Sequence, residues 1–185
     1  GMRAADGAVE KVQINEDVDV RTIGDKPATG ICGSGIIDVV AELIKVGAIA
    51  KSGRFIRLSE EHLPVSWHAR LKNGSGGNRF VLRDTDGDKV GGEIAITQKD
   101  IRQVQLAKGA ILSGILSLTE QLNIGISDIE RVYVAGAFGH HVRMESLARL
   151  GVLPKECLDR VVLIGNSSKA GAMLCLLSRD KRAEA

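Results

Sequence analysis

The chain has 185 residues, 44% of them hydrophobic and 26% charged, which is enough for one domain with a real core. A formal net charge of +2 supplies no basic field for nucleic acid or a membrane surface, and 3% aromatics against 22 glycines argue against base-stacking platforms. Cys32, Cys157 and Cys175 are far apart with no Cys-x-x-Cys. They read as small buried thiols in a reducing compartment rather than as metal ligands.

In chain order, Val9, Val12 and Ile14, then Val18, Val20 and Ile23, bracket Asn15-Glu16-Asp17 and predict two antiparallel strands. Thr29 to Asp38 is glycine-rich and opens a helix from about Ser34 to Val46, stopped by Gly47. Asp38, Glu42 and Lys45 share one stripe of that helix, and nearly all the rest is apolar, so most of its circumference is expected to be buried. Gly33-Ser34-Gly35 would set backbone amides at the helix start, as an anion cradle does. No Gly-Lys-Ser/Thr follows, so it is not a Walker loop.

Residues 48–96 read as an insertion. A strand is expected near Phe55–Leu58, a flexible loop over Asn73–Asn78, and strands at Arg79–Arg83 and Glu93–Ile96. The aspartates of Asp84–Asp88 lack the glycine and glutamate of a calcium loop and fit a hairpin turn better. Trp67 and His68 suit either core or rim.

Thr97 caps the longest helix, with Asp100 in its first turn. Its apolar stripe is Ile101, Val104, Ile111, Ile115, Leu118 and Leu122. Lys108 interrupts that stripe, three residues after Gln105. It either snorkels to water or meets an anionic or polar ligand. Gly109 beside it predicts close packing.

Val132–Ala135 and Val161–Ile164 are short apolar runs, read as neighbouring parallel strands. Each feeds a glycine turn, Gly136–Gly139 and Gly165–Ser168, and then a helix, the first over about 143–150 and the second through Leu177. His140-His141 reads as exposed loop. Residues 179–185 read as a fraying polar tail. The three glycine junctions are expected at the carboxyl ends of strands along one sheet edge, where open α/β sheets bind ligands. Tight βα turns that bind nothing would use the same glycines. The resulting fold class is α/β: a ribonuclease H-like lobe over residues 1–178, with a mixed sheet flanked by helices and the insertion at about 48–96. No signal peptide or membrane span is present, and a cytoplasmic location is expected. Gly1 before Met2 reads as a cloning remnant on a piece of a longer protein.

Four segments in this order carry a family likeness: Gly-Ile-Cys-Gly-Ser-Gly-Ile-Ile-Asp, Gln-Leu-Ala-Lys-Gly-Ala-Ile, Val-Tyr-Val-Ala-Gly-Ala-Phe-Gly and Ile-Gly-Asn-Ser-Ser-Lys-Ala-Gly-Ala. The chain resembles the actin-like ATPase superfamily of acetate and sugar kinases and chaperone ATPases. More narrowly, it is similar to the C-terminal lobe of the ferredoxin-linked reductive activators of corrinoid-dependent enzymes. The resemblance implies an adenosine turn at Gly136, Ala137, Phe138 and Gly139. It implies ribose or adenine contacts from Gln105 and Lys108, and a hinge element at Gly165, Asn166 and Ser167. Gly33, Ser34 and Gly35 would lie toward the phosphates or the interlobe cleft. It further implies ATP, with Mg held by a missing lobe, and a 2Fe-2S cluster present only in the full-length protein. The partners implied are a corrinoid protein and a second copy of the chain. Asp-x-Gly-x-Thr is absent, so no catalytic residue is assigned and the fragment alone is expected not to hydrolyse ATP. A small-molecule kinase lobe and a non-catalytic interaction lobe are the alternatives.

Overall fold

In the computed structural model, residues 1–56, 67, 69–74, 77–84, 92–136 and 141–184 are described. Alternating β-branched residues form β1 (Ala8–Ile14) and β2 (Val18–Thr22), an antiparallel pair with Val12 opposite Val20 and Ile14 opposite Val18. β3 (Gly30–Ile31) lies on the other side of β1 in parallel, giving the mixed order β2-β1-β3. α1 (Gly33–Lys45) packs across β1. Gly35 makes that possible, since a Cβ there would overlap the carbonyl oxygen of Val9.

The insertion is a second sheet: β4 (Leu71–Gly74), β5 (Gly77–Arg83) and β6 (Ile94–Thr97), antiparallel in that order. The polar run expected as a loop is instead the end of a hairpin, with Asn73 opposite Asn78 and Gly74 opposite Gly77. Ladder hydrogen bonds come from backbone and need no apolar side chain at the tip. The expected strand at Phe55 is reduced to a single bridge with Ile49, and residues 57–58 lie outside the described residues, as do His68 and residues 85–88 of the aspartate turn. Trp67 is core, packed edge-on against Phe80 at 6.4 Å between ring centroids.

α2 (Gln98–Gln121) starts at the expected cap: Thr97 Oγ1 accepts from the Asp100 amide, and Asp100 accepts from the Thr97 amide at 2.9 Å. Of its predicted stripe only Ile101 and Val104 are buried; Ile111, Leu118 and Leu122 are exposed. Gly109 likewise has open space around it rather than a close neighbour. The second half of the apolar stripe is therefore left uncovered by the described residues.

β7 (Val132–Ala135) and β8 (Val161–Gly165) pair in parallel, as the sequence implies. Between them α3 (Met144–Leu150) returns to pack on α1. α4 (Ser167–Leu177) follows β8. The tail is not frayed but helical, α5 (Arg179–Glu184), with the Ser178 hydroxyl accepting from the Lys181 amide and Arg182 donating to the Cys175 carbonyl. The one common sheet expected for all strands is not formed: among the described residues β7 and β8 bond only to each other.

Candidate functional site

The two C-terminal glycine junctions meet. The Gly136 amide donates to the Gly165 carbonyl at 2.7 Å, so the ends of β7 and β8 share one rim. Both glycines have positive φ, +99° and +63°, which a side chain would strain. Open space surrounds the Cα of Gly136, where an added Cβ would meet nothing within 4 Å. Such a turn offers backbone to a flat ligand at close range. Asn166 caps α4, its side chain accepting from the Lys169 amide at 3.0 Å. Ser167 is the first residue of that helix. Ala137, Phe138, Gly139 and His140 lie outside the described residues. His141, exposed as expected, sits with Nδ1 3.5 Å from a Glu10 carboxylate oxygen.

Gln105 and Lys108 line a different feature, a cavity of about 410 Å³ between α1, α2, α3 and the 49–53 turn. Val40, Ile44, Ile101 and Val104 supply apolar wall, while Lys51, Lys108 and Arg149 supply positive charge. An apolar space with a few placed polar groups is how a small-molecule site is built. Gly53 lets the Gln105 side-chain amide lie against its backbone, and Gln105 donates to the Ser52 carbonyl at 3.3 Å. The Lys108 side chain is half-buried against Gly151, so it is drawn inward rather than extended into water. Neither Gly136 nor Gly165 borders this cavity.

The third predicted element is a packing junction. Ser34 and Gly35 are buried, Ser34 Oγ lies 3.3 Å from Cys32 Sγ, and only Gly33 is exposed. Gly33–Gly35 opens α1 after β3 of the β1 sheet, while Gly136 and Gly165 lie at the ends of β7 and β8, so among the described residues the three junctions do not share one sheet edge.

Sequence reading missed a buried polar network. The stripe of Asp38 and Glu42 faces inward, at 1% and 3% exposure. Glu42 accepts the Ile14 amide at 3.0 Å, and Asp38 lies 3.4 Å from the Val12 amide and accepts from Ser146 Oγ at 2.7 Å. Arg143 donates to the Val12 carbonyl at 2.9 Å. Its Nε lies 2.9 Å from Asp38, close enough for an ion pair though not angled for a hydrogen bond. Arg149 reaches Glu42 at 3.4 Å. Burial pushes the Glu42 carboxyl upward, but the Ile14 amide, Lys45 and Arg143 together outweigh it and hold the group below the usual glutamate value. These side chains satisfy the backbone of β1 where no neighbouring strand does. The sequence signal was present: two carboxylates at i and i+4 on a helix otherwise too apolar to have a wet face.

The cysteines of this chain do not fit an iron–sulfur cluster. Cys32 and Cys157 are buried separately, and no group of three or more metal-ligating side chains occurs among the described residues. Nor, among those residues, is any helix long and apolar enough to cross a membrane.

A family model described as the C-terminal domain of RACo, the ASKHA domain, matches residues 1–185. The chain belongs to this ASKHA-domain family. It is 40% identical over 187 aligned residues to the corrinoid activation enzyme RamQ of Eubacterium limosum, covering 98% of this chain and 31% of that protein. A reductase of the Co(II) methylated amine-specific corrinoid protein, from Methanosarcina barkeri, is 30% identical over 154 residues, 83% of this chain and 23% of that protein. A solved reductive activator for a corrinoid, iron–sulfur protein superposes with a TM-score of 0.87 at 36% identity, over 100% of this chain and 29% of that one. The ASKHA-type α/β fold, with its mixed sheets and flanking helices, is therefore established. The chain spans less than a third of each of these relatives.

Proposed function

We propose that this ASKHA domain is the nucleotide-binding lobe of an ATP-dependent reductive activator. That activator returns the Co(II) corrinoid of a methyl-transfer protein to Co(I). The observation that carries the reading is the match of the whole chain to the domain family, together with its identity to activators of corrinoid proteins. ATP, with Mg held outside this chain, supplies binding free energy that differs between two lobe arrangements, and that difference alone can drive a conformational step. The electron comes from a 2Fe-2S module outside residues 1–185. The partners are the corrinoid protein and, at a second surface, another copy of the activator in the cytoplasm.

Within this lobe the proposed adenosine turn is Gly136 with Ala137, Phe138 and Gly139, hinged by Gly165, Asn166 and Ser167. The open space beside Gly136 and its bond to Gly165 support that assignment. Lys108 and Gln105 are proposed to take the ribose or base edge, supported by their place on an apolar, positively charged cavity. Gly33 is the accessible member of its turn toward the cleft, whereas Ser34 and Gly35 serve packing.

Isothermal titration of the full-length activator with ATP tests the reading. Gly136→Val should weaken ATP binding at least tenfold; its φ of +99° also strains a β-branched residue, so the nucleotide-free protein should lose about 1–3 kcal/mol while still unfolding cooperatively. Unchanged affinity would remove the adenosine assignment.

A further inference from the structure

We infer that Arg143 and Asp38 act as one positioning unit, whose buried ion pair sets the spacing between the turn proposed to hold adenosine and the helix that starts at Gly33. This deepens the nucleotide reading and rests on it; neither residue is assigned a contact with nucleotide.

The chain leaves β7 at Gly136, whose amide is fixed to the Gly165 carbonyl at 2.7 Å. It is back in the core at Val142, which is buried, and Arg143 follows as the N-cap of α3. Arg143 therefore holds the far end of the connection that begins at Gly136. Its guanidinium reaches two elements at once. Nη2 donates to the Val12 carbonyl of β1 at 2.9 Å, and Nε lies 2.9 Å from Asp38 Oδ2 on α1. The other oxygen of that carboxylate accepts from Ser146 Oγ at 2.7 Å, so Asp38 ties down α3 twice. Asp38 stands a little over one helical turn after Gly33, on a helix whose Val39, Val40, Ala41 and Leu43 are all buried. One carboxylate thus joins the helix whose start is proposed to face the phosphates to the connection proposed to hold adenosine.

Two observations favour positioning over stability as the role of the pair. An N-cap is ordinarily Ser, Thr, Asp or Asn, and a cation is unfavourable at the positive end of a helix. Arg143 occupies that place in α3 and makes no capping bond, its side chain being committed to β1 and α1. A locally unfavourable residue kept for its distant contacts is what a functional constraint looks like. Second, a buried ion pair is a weak source of net stability, and its best-attested use is to fix one register among alternatives. Glu42 does not require Arg143 for neutralisation, since Lys45 and Arg149 also reach it. A nucleotide engages two loops together only when their separation matches its length, and a separation set in advance removes the cost of ordering them. A ligand that engages one loop alone does not sense that separation.

The test uses this difference in the full-length activator. Arg143→Lys keeps the charge but replaces the planar fork with a single ammonium, which cannot serve Val12 and Asp38 together. Asp38→Asn removes the charge from the other side. ATP affinity is read by titration calorimetry and adenosine affinity by saturation-transfer NMR, at a temperature where melting curves show every variant folded. Each variant should bind ATP about fivefold or more weakly, with adenosine affinity held within about twofold. The double variant should be no worse than the weaker single one, because the two residues act as a unit. Equal losses for both ligands, or ATP affinity fully retained, would overturn the inference and leave the network a structural role alone. Gly136→Val separates this outcome from that of the adenosine assignment. It should weaken both ligands; if it weakens neither, or if adenosine does not bind the unaltered protein, the assignment itself fails. A loss at Gly136→Val with no change at Arg143→Lys refutes the positioning role only.

Discussion

Two regions of this chain obey opposite rules of burial. From Ala8 to Val104, and again from Val142 to Cys157, apolar side chains are inside, and the buried core is drawn wholly from these stretches. From Leu106 to Leu177 the remaining stretches, α2 from Leu106 onward with the turn after it through Ile124, the β7–β8 pair and α4, hold every exposed large hydrophobic among the described residues. Both regions contain many apolar residues; what differs is whether other described residues cover them. Folded cores leave few such residues uncovered, and contiguous apolar surface marks an interface. The first region is a self-sufficient core. The second presents apolar side chains that the described residues leave exposed, and it carries the glycine turns proposed to bind nucleotide.

The sharpest way to break that contrast is to add one methyl group in each region. Gly35→Ala places a Cβ into the Val9 carbonyl, backbone against backbone, so the β1–α1 contact must open. A loss of about 3 kcal/mol or more in urea unfolding is expected. The same change at Gly109, mid-helix in open space, should stabilise by about 1 kcal/mol in the same assay. Equal effects at the two sites would mean the regions do not differ as described.

Arg143→Met comes next. It strips the cation shared by Asp38 and Glu42 from a carboxylate pair that stays buried, with Lys45 and Arg149 left to pair only Glu42, and about 3 kcal/mol should be lost. Replacing an exposed charge such as Lys99 should move stability by no more than about 0.5 kcal/mol.

A smaller effect concerns acid. Glu42 has its carboxyl held below the ordinary value of 4.5 in the folded state, so the unfolded chain takes up its proton first. The stabilisation it gives is complete above about pH 5 and disappears as pH falls through 4.5 and then through the lowered folded value. Glu42→Gln should flatten that part of the stability curve, measured by unfolding between pH 3 and 6. The smallest effect belongs to the uncovered region: Leu118→Ser should change the stability of residues 1–185 by less than about 0.5 kcal/mol, since Leu118 is 60% exposed. In the full-length protein the cost should be larger if further chain covers it.

Local patterns were legible wherever a residue's role depends on its own neighbours. The β1–β2 hairpin, the Thr97 cap, the parallel β7–β8 pair and the Gly136 turn all follow from alternation, capping chemistry or glycine spacing. The helical tail is an exception: its charged composition reads as a fraying end, yet local contacts hold it, with Ser178 accepting from the Lys181 amide three residues on and Arg182 donating to the Cys175 carbonyl seven residues back. The inward stripe of Asp38 and Glu42 was not legible: a carboxylate on a helix reads as solvent-facing unless its partner, here Arg143 more than a hundred residues later, is known to stand opposite. The expected close packing at Gly109 failed for the complementary reason. An apolar stripe states that something covers it and does not state that the cover is in the same domain.

The amino-acid order alone determined the α/β class, the alternation of strands and helices, and the positions of the glycine turns, because backbone preference and hydrophobic period act over a few residues. Tertiary structure decided which turns meet, which carboxylates are buried and which strands are left without a neighbour. Those outcomes depend on contacts between segments far apart in the chain, and each is set by the geometry of the partner as much as by the residue itself.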